Sequence, residues 1–143
     1  MPRLLVVDGE ESICFSLKEY FTLQHYDVDT AQELYEAERM FENGPYDVVI
    51  QDLMLGPTQN LDGLEMVRFI RTHNSDTKIV VLTAYGSTDT EKDALQRGAD
   101  AFLRKPKPLS HIAQVIQGLI ESPRKEHTQG TGTGKSSAGA ANK

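Results

Sequence analysis

The chain has no tryptophan, one cysteine among 143 residues, and aromatic side chains at only 7% of positions. Cys14 by itself forms no internal disulfide, so a stapled extracellular scaffold is excluded and a reducing compartment is favoured. Long hydrophobic runs are also missing. The first apolar stretch, Leu4 to Val7, is too short for a secretory signal, and nothing approaches the roughly 20 apolar residues of a bilayer-spanning helix. These absences place the chain in the cytoplasm and exclude membrane insertion. Positive charge is in deficit: 15 Lys and Arg face 21 Asp and Glu, a formal charge of −6. No basic field is available to collect nucleic acid, and direct nucleic-acid binding is not expected.

The remainder suits one globular domain, with 38% hydrophobic and 25% charged residues. Short apolar runs at Leu4 to Val7, Val48 to Ile50, Ile79 to Leu82 and Ala101 to Leu103 read as buried parallel strands, and Asp27 to Thr30 as a weaker fifth. Helical spacing fills the intervals. It runs over Glu11 to Gln24, where Ile13, Leu17, Tyr20, Phe21 and Leu23 largely share a face. It recurs through Leu34, Ala37, Met40 and Phe41, then Leu64, Val67, Phe69 and Ile70, then a thinner polar segment from Asp89 to Gln96, and finally Leu109 to Ile120. Gly44 and Gly98 mark helix stops, and Ser75 and Asp76 a turn. Five alternating βα units predict a parallel sheet covered by helices on both faces. From Ser122 the composition turns to small and polar residues that cannot build a core, which divides the chain into a domain over 1–121 and a linker or tail over 122–143. The tail contains G-T-G-T-G-K-S, but a phosphate-binding loop needs glycine where Gln129 stands. His25, His73, His111 and His127 lack metal-ligand spacing and read as surface or helix residues.

In such sheets ligands bind beyond the carboxyl ends of the strands. Asp8 follows the first strand, Asp52 the third, Thr83 the fourth and Lys105 the fifth. Singly, each has an ordinary explanation: an aspartate capping a helix, a strand threonine, a solvated lysine. Together, two carboxylates, a hydroxyl and an ammonium make a site for a hard cation and a phosphoryl group, in which a carboxylate acts as nucleophile toward phosphorus.

The segments L-L-V-V-D, V-V-I-Q-D-L-M, L-D-G-L-E, V-V-L-T-A-Y-G and G-A-D-A-F-L-R-K-P, taken in order over residues 3–121, resemble response-regulator receiver domains. The resemblance implies a flavodoxin-like, doubly wound five-stranded sheet of order 2-1-3-4-5 with five helices, an α/β three-layer fold. It implies Asp52 as phosphoacceptor, with Thr83, Ala84 and Lys105 around the phosphoryl group. It implies Mg²⁺ held by Asp8, Asp52 and the backbone carbonyl of Met54, and Thr83 and Phe102 as switch residues. It implies a cis bond between Lys105 and Pro106. A histidine kinase or phosphotransfer protein would be the donor, a downstream protein or effector domain the reader, and helix four, strand five and helix five a face for homodimer pairing. Such a chain is a signalling switch rather than an enzyme, limited to self-phosphoryl transfer and slow autodephosphorylation. The run T-A-Y-G-S-T-D-T-E further resembles receivers joined to ATP-driven transcription activators, of which this chain would be an excerpt.

Two departures stand out. The family pairs two acidic residues after the first strand, whereas here Gly9 follows Asp8. Either Glu10 replaces the lost ligand or Glu10 and Glu11 only favour the start of a helix. With one carboxylate fewer, weaker Mg²⁺ binding is expected, and a phosphorylation-independent pseudo-receiver is the alternative function. After Asp52 the path to Asp62-Gly63 is about three residues longer than usual, predicting a bulge beside the site. An aspartyl phosphohydrolase is disfavoured, because Met54 stands where a leaving-group acid would be needed.

Overall fold

A computed structural model describes residues 1–55 and 60–122. Five strands alternate with five helices: β1 (Arg3–Val7), α1 (Glu11–Leu23), β2 (Asp27–Ala31), α2 (Leu34–Glu42), β3 (Val48–Gln51), α3 (Asp62–His73), β4 (Lys78–Thr83), α4 (Thr88–Gln96), β5 (Ala101–Arg104) and α5 (Leu109–Glu121). The strands are all parallel, in the order β2-β1-β3-β4-β5. The weak strand expected from Asp27 is therefore present, as an edge.

The unbroken apolar strands follow from a sheet buried on both faces. Leu5 and Val7 of β1, Val49 of β3, and Ile79 and Val81 of β4 point into one layer with α2, α3 and α4. Leu4, Val6, Val48, Ile50, Val80 and Leu82 alternate into the other, against Leu17 and Phe21 of α1 and Ile112 and Ile116 of α5. Each fully buried Leu, Ile or Phe of these layers contributes about 1.5–3 kcal/mol of transfer free energy.

Helix ends follow the local chemistry. Ser87 caps α4, its Oγ accepting from the Thr90 amide at 3.0 Å. The Gly44 amide bonds to Phe41 O beyond α2, and the Gly98 amide to Leu95 O beyond α4. One expectation fails on α1: Leu23 is 74% exposed, while Cys14, Leu17 and Phe21 are buried. Positions two apart on a helix lie on opposite sides, so Leu23 cannot share the face of Phe21. His25, His73 and His111 are exposed, as expected. No described helix is long and apolar enough to cross a membrane. The expected tail over 122–143 begins at Ser122, which caps α5; the rest of it, with the glycine-rich motif and His127, lies outside the described residues.

Candidate functional site

In the order β2-β1-β3-β4 the connection out of β1 runs to one side of the sheet and the connection out of β3 to the other, and a crevice opens between the carboxyl ends of β1 and β3. The backbone carries the ladder one step past the strands before the loops diverge: the Asp8 amide bonds to Ala31 O (3.0 Å), that of Asp52 to Val7 O (2.8 Å), and that of Lys105 to Thr83 O (2.9 Å). Residues distant in sequence are thereby fixed side by side.

Lys105 Nζ lies 2.8 Å from Asp8 Oδ2 and 3.2 Å from Asp52 Oδ2. The other oxygen of each carboxylate is held by backbone: Asp8 Oδ1 accepts from the Glu10 amide at 2.9 Å, and Asp52 Oδ1 from the Met54 amide at 3.3 Å. Both carboxylates are buried, and a lone buried anion would be costly; the shared ammonium offsets that cost. Burial pushes the Asp8 carboxyl above its ordinary range, aided by the nearby charge of Asp52 and opposed by the hydrogen bonds from Lys105 and Glu10. For Lys105, burial works against the charged amine, but the bond to Asp8 and the charges of Asp52 and Asp8 outweigh it and hold the ammonium above its usual range.

These groups open into a cleft of about 310 Å³ lined by Gly9, Glu10, Asp52, Met54, Thr83, Ala84, Tyr85 and Lys105. Thr83 is fully buried, and its Oγ1 accepts from the Tyr85 amide at 3.1 Å, leaving its own O–H to donate. Every residue that the sequence placed at a phosphoryl site except Asp8 lines this cleft, and Asp8 joins it through Lys105. Phe102 lies on the same side of the sheet, half-buried against the layer of α2, α3 and α4. The Lys105–Pro106 bond is cis.

Two acidic side chains drawn to one ammonium are placed to share one cation, which fits a hard metal ion with oxygen ligands. Asp8, Asp52 and the Met54 backbone would hold it. The third carboxylate is not supplied. Among the described residues no group of three His, Cys, Asp or Glu side chains gathers as a metal site, although Glu10 stands on the cleft wall. The lengthened loop begins with a short antiparallel bridge, Leu55 amide to Asn60 O at 3.1 Å, and the expected bulge over 56–59 lies outside the described residues.

Sequence reasoning missed two neighbours of the site. Gln51 is fully buried, its Nε2 donating to Asp52 O at 2.8 Å. A glutamine inside the apolar run V-V-I-Q was the available signal. Tyr85 stands on the cleft rim, and only the fold reveals that.

The model of the response regulator receiver domain matches residues 4–117. A response regulator MprA of Mycobacterium sp. (strain KMS) is 35% identical over 118 residues, 82% of this chain and 50% of the relative. The chain spans about half the length of the curated relatives it matches. Among solved structures, a response regulator from Burkholderia pseudomallei with a phosphorylated aspartic acid, calcium ion and citrate has a TM-score of 0.76 and 27% identity, over 85% of this chain and 69% of that one. The beryllofluoride-activated NtrC4 receiver domain dimer also has a TM-score of 0.76, with 35% identity, over 85% and 98%. With its doubly wound sheet, its acid–lysine crevice and a family match over most of its length, the chain belongs to the response-regulator receiver domains of two-component signalling.

Proposed function

We propose that this receiver takes a phosphoryl group on Asp52 from a histidine kinase or phosphotransfer protein and thereby changes the affinity of an output face for its partner. The observation that carries this reading is the single Lys105 ammonium held between Asp8 and Asp52 at the mouth of a cleft. An Asp52 oxygen attacks phosphorus, the donor's P–N bond breaks, and the imidazole leaves with the electron pair and takes up a proton. Lys105 is placed to pair with a phosphoryl oxygen, and the Thr83 hydroxyl to donate to another. Ala84, small and on the cleft wall, leaves access for the donor. Mg²⁺, when bound, neutralises charge on the transferring group. The phosphorylated aspartate and calcium in the Burkholderia relative support both parts of the reading.

The chain acts in this reading as a switch and not as an enzyme on other substrates, and its place is the cytoplasm. Pairing of two copies is supported by the NtrC4 receiver domain dimer, and the family resemblance puts that pairing on the face of α4, β5 and α5. A pseudo-receiver that works without phosphate is the second reading; Gly9, which removes a ligand from the cation site, favours it.

Intact mass after incubation with a small-molecule phosphodonor separates the two. The expected result is one phosphoryl adduct that requires both Mg²⁺ and Asp52 and is absent from Asp52→Ala. A folded wild type that gains no mass overturns the first reading in favour of the second.

A further inference from the structure

Arg104 makes three contacts that join the cleft to the outer surface. Its Nε donates to Gly86 O at 3.1 Å, its terminal nitrogen to Glu91 Oε1 of α4 at 2.8 Å, and its guanidinium carbon stands 5.1 Å from the centre of the Phe102 ring. Arg104 pairs with Thr83 across β4 and β5, so its side chain rises on the face where Thr83 begins the cleft wall. That wall runs through Ala84 and Tyr85, both lining the cleft, to Gly86. Arg104 thus grips the far end of the segment whose near end carries the Thr83 hydroxyl.

Gly86 is fitted to this grip. A Cβ there would meet Phe102 Cε1 at 3.0 Å and Arg104 Nε at 3.1 Å, so a side chain would push the guanidinium away from the carbonyl it holds. An isolated exposed ion pair contributes little, and Arg104 is 47% exposed. Here, however, one planar group spends the same loss of rotamer freedom on a carbonyl, a carboxylate and a ring, which belong to a loop, a helix and a strand.

We propose that Arg104 is a positioning residue for phosphoryl transfer: it holds the Thr83–Gly86 wall outward, and the wall must draw away from it to bring the Thr83 hydroxyl onto a phosphoryl group. This inference rests on the reading of Asp52 as phosphoacceptor. Among the described residues the Thr83 hydroxyl bonds to neither Asp52 nor Lys105, its one bond being to the Tyr85 amide. Closing that gap moves the wall toward β3 and lengthens the Gly86–Arg104 bond. Binding to the closed wall and binding to Arg104 therefore compete.

The test compares wild type with Arg104→Met, which keeps the apolar stem over Phe102, and with Glu91→Gln, which weakens one contact. Amide exchange across Tyr85–Thr88 reads the wall, and the rate of adduct formation with a small-molecule phosphodonor and Mg²⁺ reads the chemistry. Arg104→Met is expected to exchange faster across that segment alone and to gain the adduct about three- to tenfold faster, the scale of one or two lost hydrogen bonds, with Glu91→Gln between it and wild type. Unchanged exchange, or faster exchange with unchanged or slower adduct formation, overturns the proposal. Wild type that exchanges normally yet forms no adduct overturns the phosphoacceptor reading, and the coupling with it, whatever the wall does in the variants.

Discussion

The carbonyl oxygen of Asp52 and the α-carbon of Gly63 approach so closely that no side chain fits between them: a Cβ on Gly63 would collide with that oxygen and with the Leu53 α-carbon. The same contact is tied by the Gly63 amide, which donates to Leu53 O at 2.9 Å. The start of α3 is thereby locked under the loop that carries Asp52. Gly63→Ala is expected to cost about 3 kcal/mol, since neither backbone can move without disturbing the other. Urea denaturation measures it, and a loss under 1 kcal/mol would mean that the loop relaxes freely.

Gly9→Asp restores an acidic side chain beside Asp8 on the cleft wall. Mg²⁺ affinity is expected to rise on the order of tenfold, because a third carboxylate adds charge to a site that has two. Calorimetric titration is the check, and unchanged affinity would show that position 9 does not reach the cation.

Tyr46 couples the lower end of the sheet to pH. Its hydroxyl donates to Asp29 Oδ2 at 2.6 Å, and Arg3 lies over its ring at 4.5 Å. Burial, then the hydrogen bond to Asp29 and that residue's charge, push the phenol above its ordinary 10.0. A raised folded value means that the native state holds this proton more tightly, so the contribution is complete below pH 10 and is lost as pH rises further. Tyr46→Phe is expected to lose about 1 kcal/mol at pH 7 and progressively less above pH 10, measured by denaturation at both. A loss that does not diminish in alkali would assign the effect to packing.

His25 follows α1 with φ of 71°, a left-handed conformation unfavourable for a side chain with a Cβ, and it is exposed. His25→Gly is expected to raise stability by about 0.5–1 kcal/mol, read as an increase in the urea midpoint. A decrease would mean that the imidazole contributes more than its backbone costs.

Much of this molecule was legible because a parallel sheet leaves a strong imprint. Leu4 to Val7 and Ile79 to Leu82 are apolar without alternation since both faces are covered, and the fold then puts the residues at the strand ends at one edge, where Thr83, expected just after the fourth strand, is the last residue of β4. Asp8, Asp52, Thr83 and Lys105 could be named from that rule and from the family pattern. The α1 face was misread at Leu23, where a cluster of large apolar residues near a helix end outweighed the angular spacing. Arg104 was passed over because a charged residue at the end of an edge strand looks like solvated surface.

The sequence by itself determined the order of strands and helices and the chemical types gathered at the carboxyl edge. These depend on local periodicity and on which residues tolerate burial. Only the tertiary structure decided that one ammonium serves both Asp8 and Asp52, that Gly63 must lack a side chain, and that Arg104 grips Gly86 and Glu91 across Phe102. Asp8 and Asp52 lie 97 and 53 positions from Lys105, and Gly86 and Glu91 lie 18 and 13 from Arg104; their distances are set by strand register and helix packing, which no local pattern encodes.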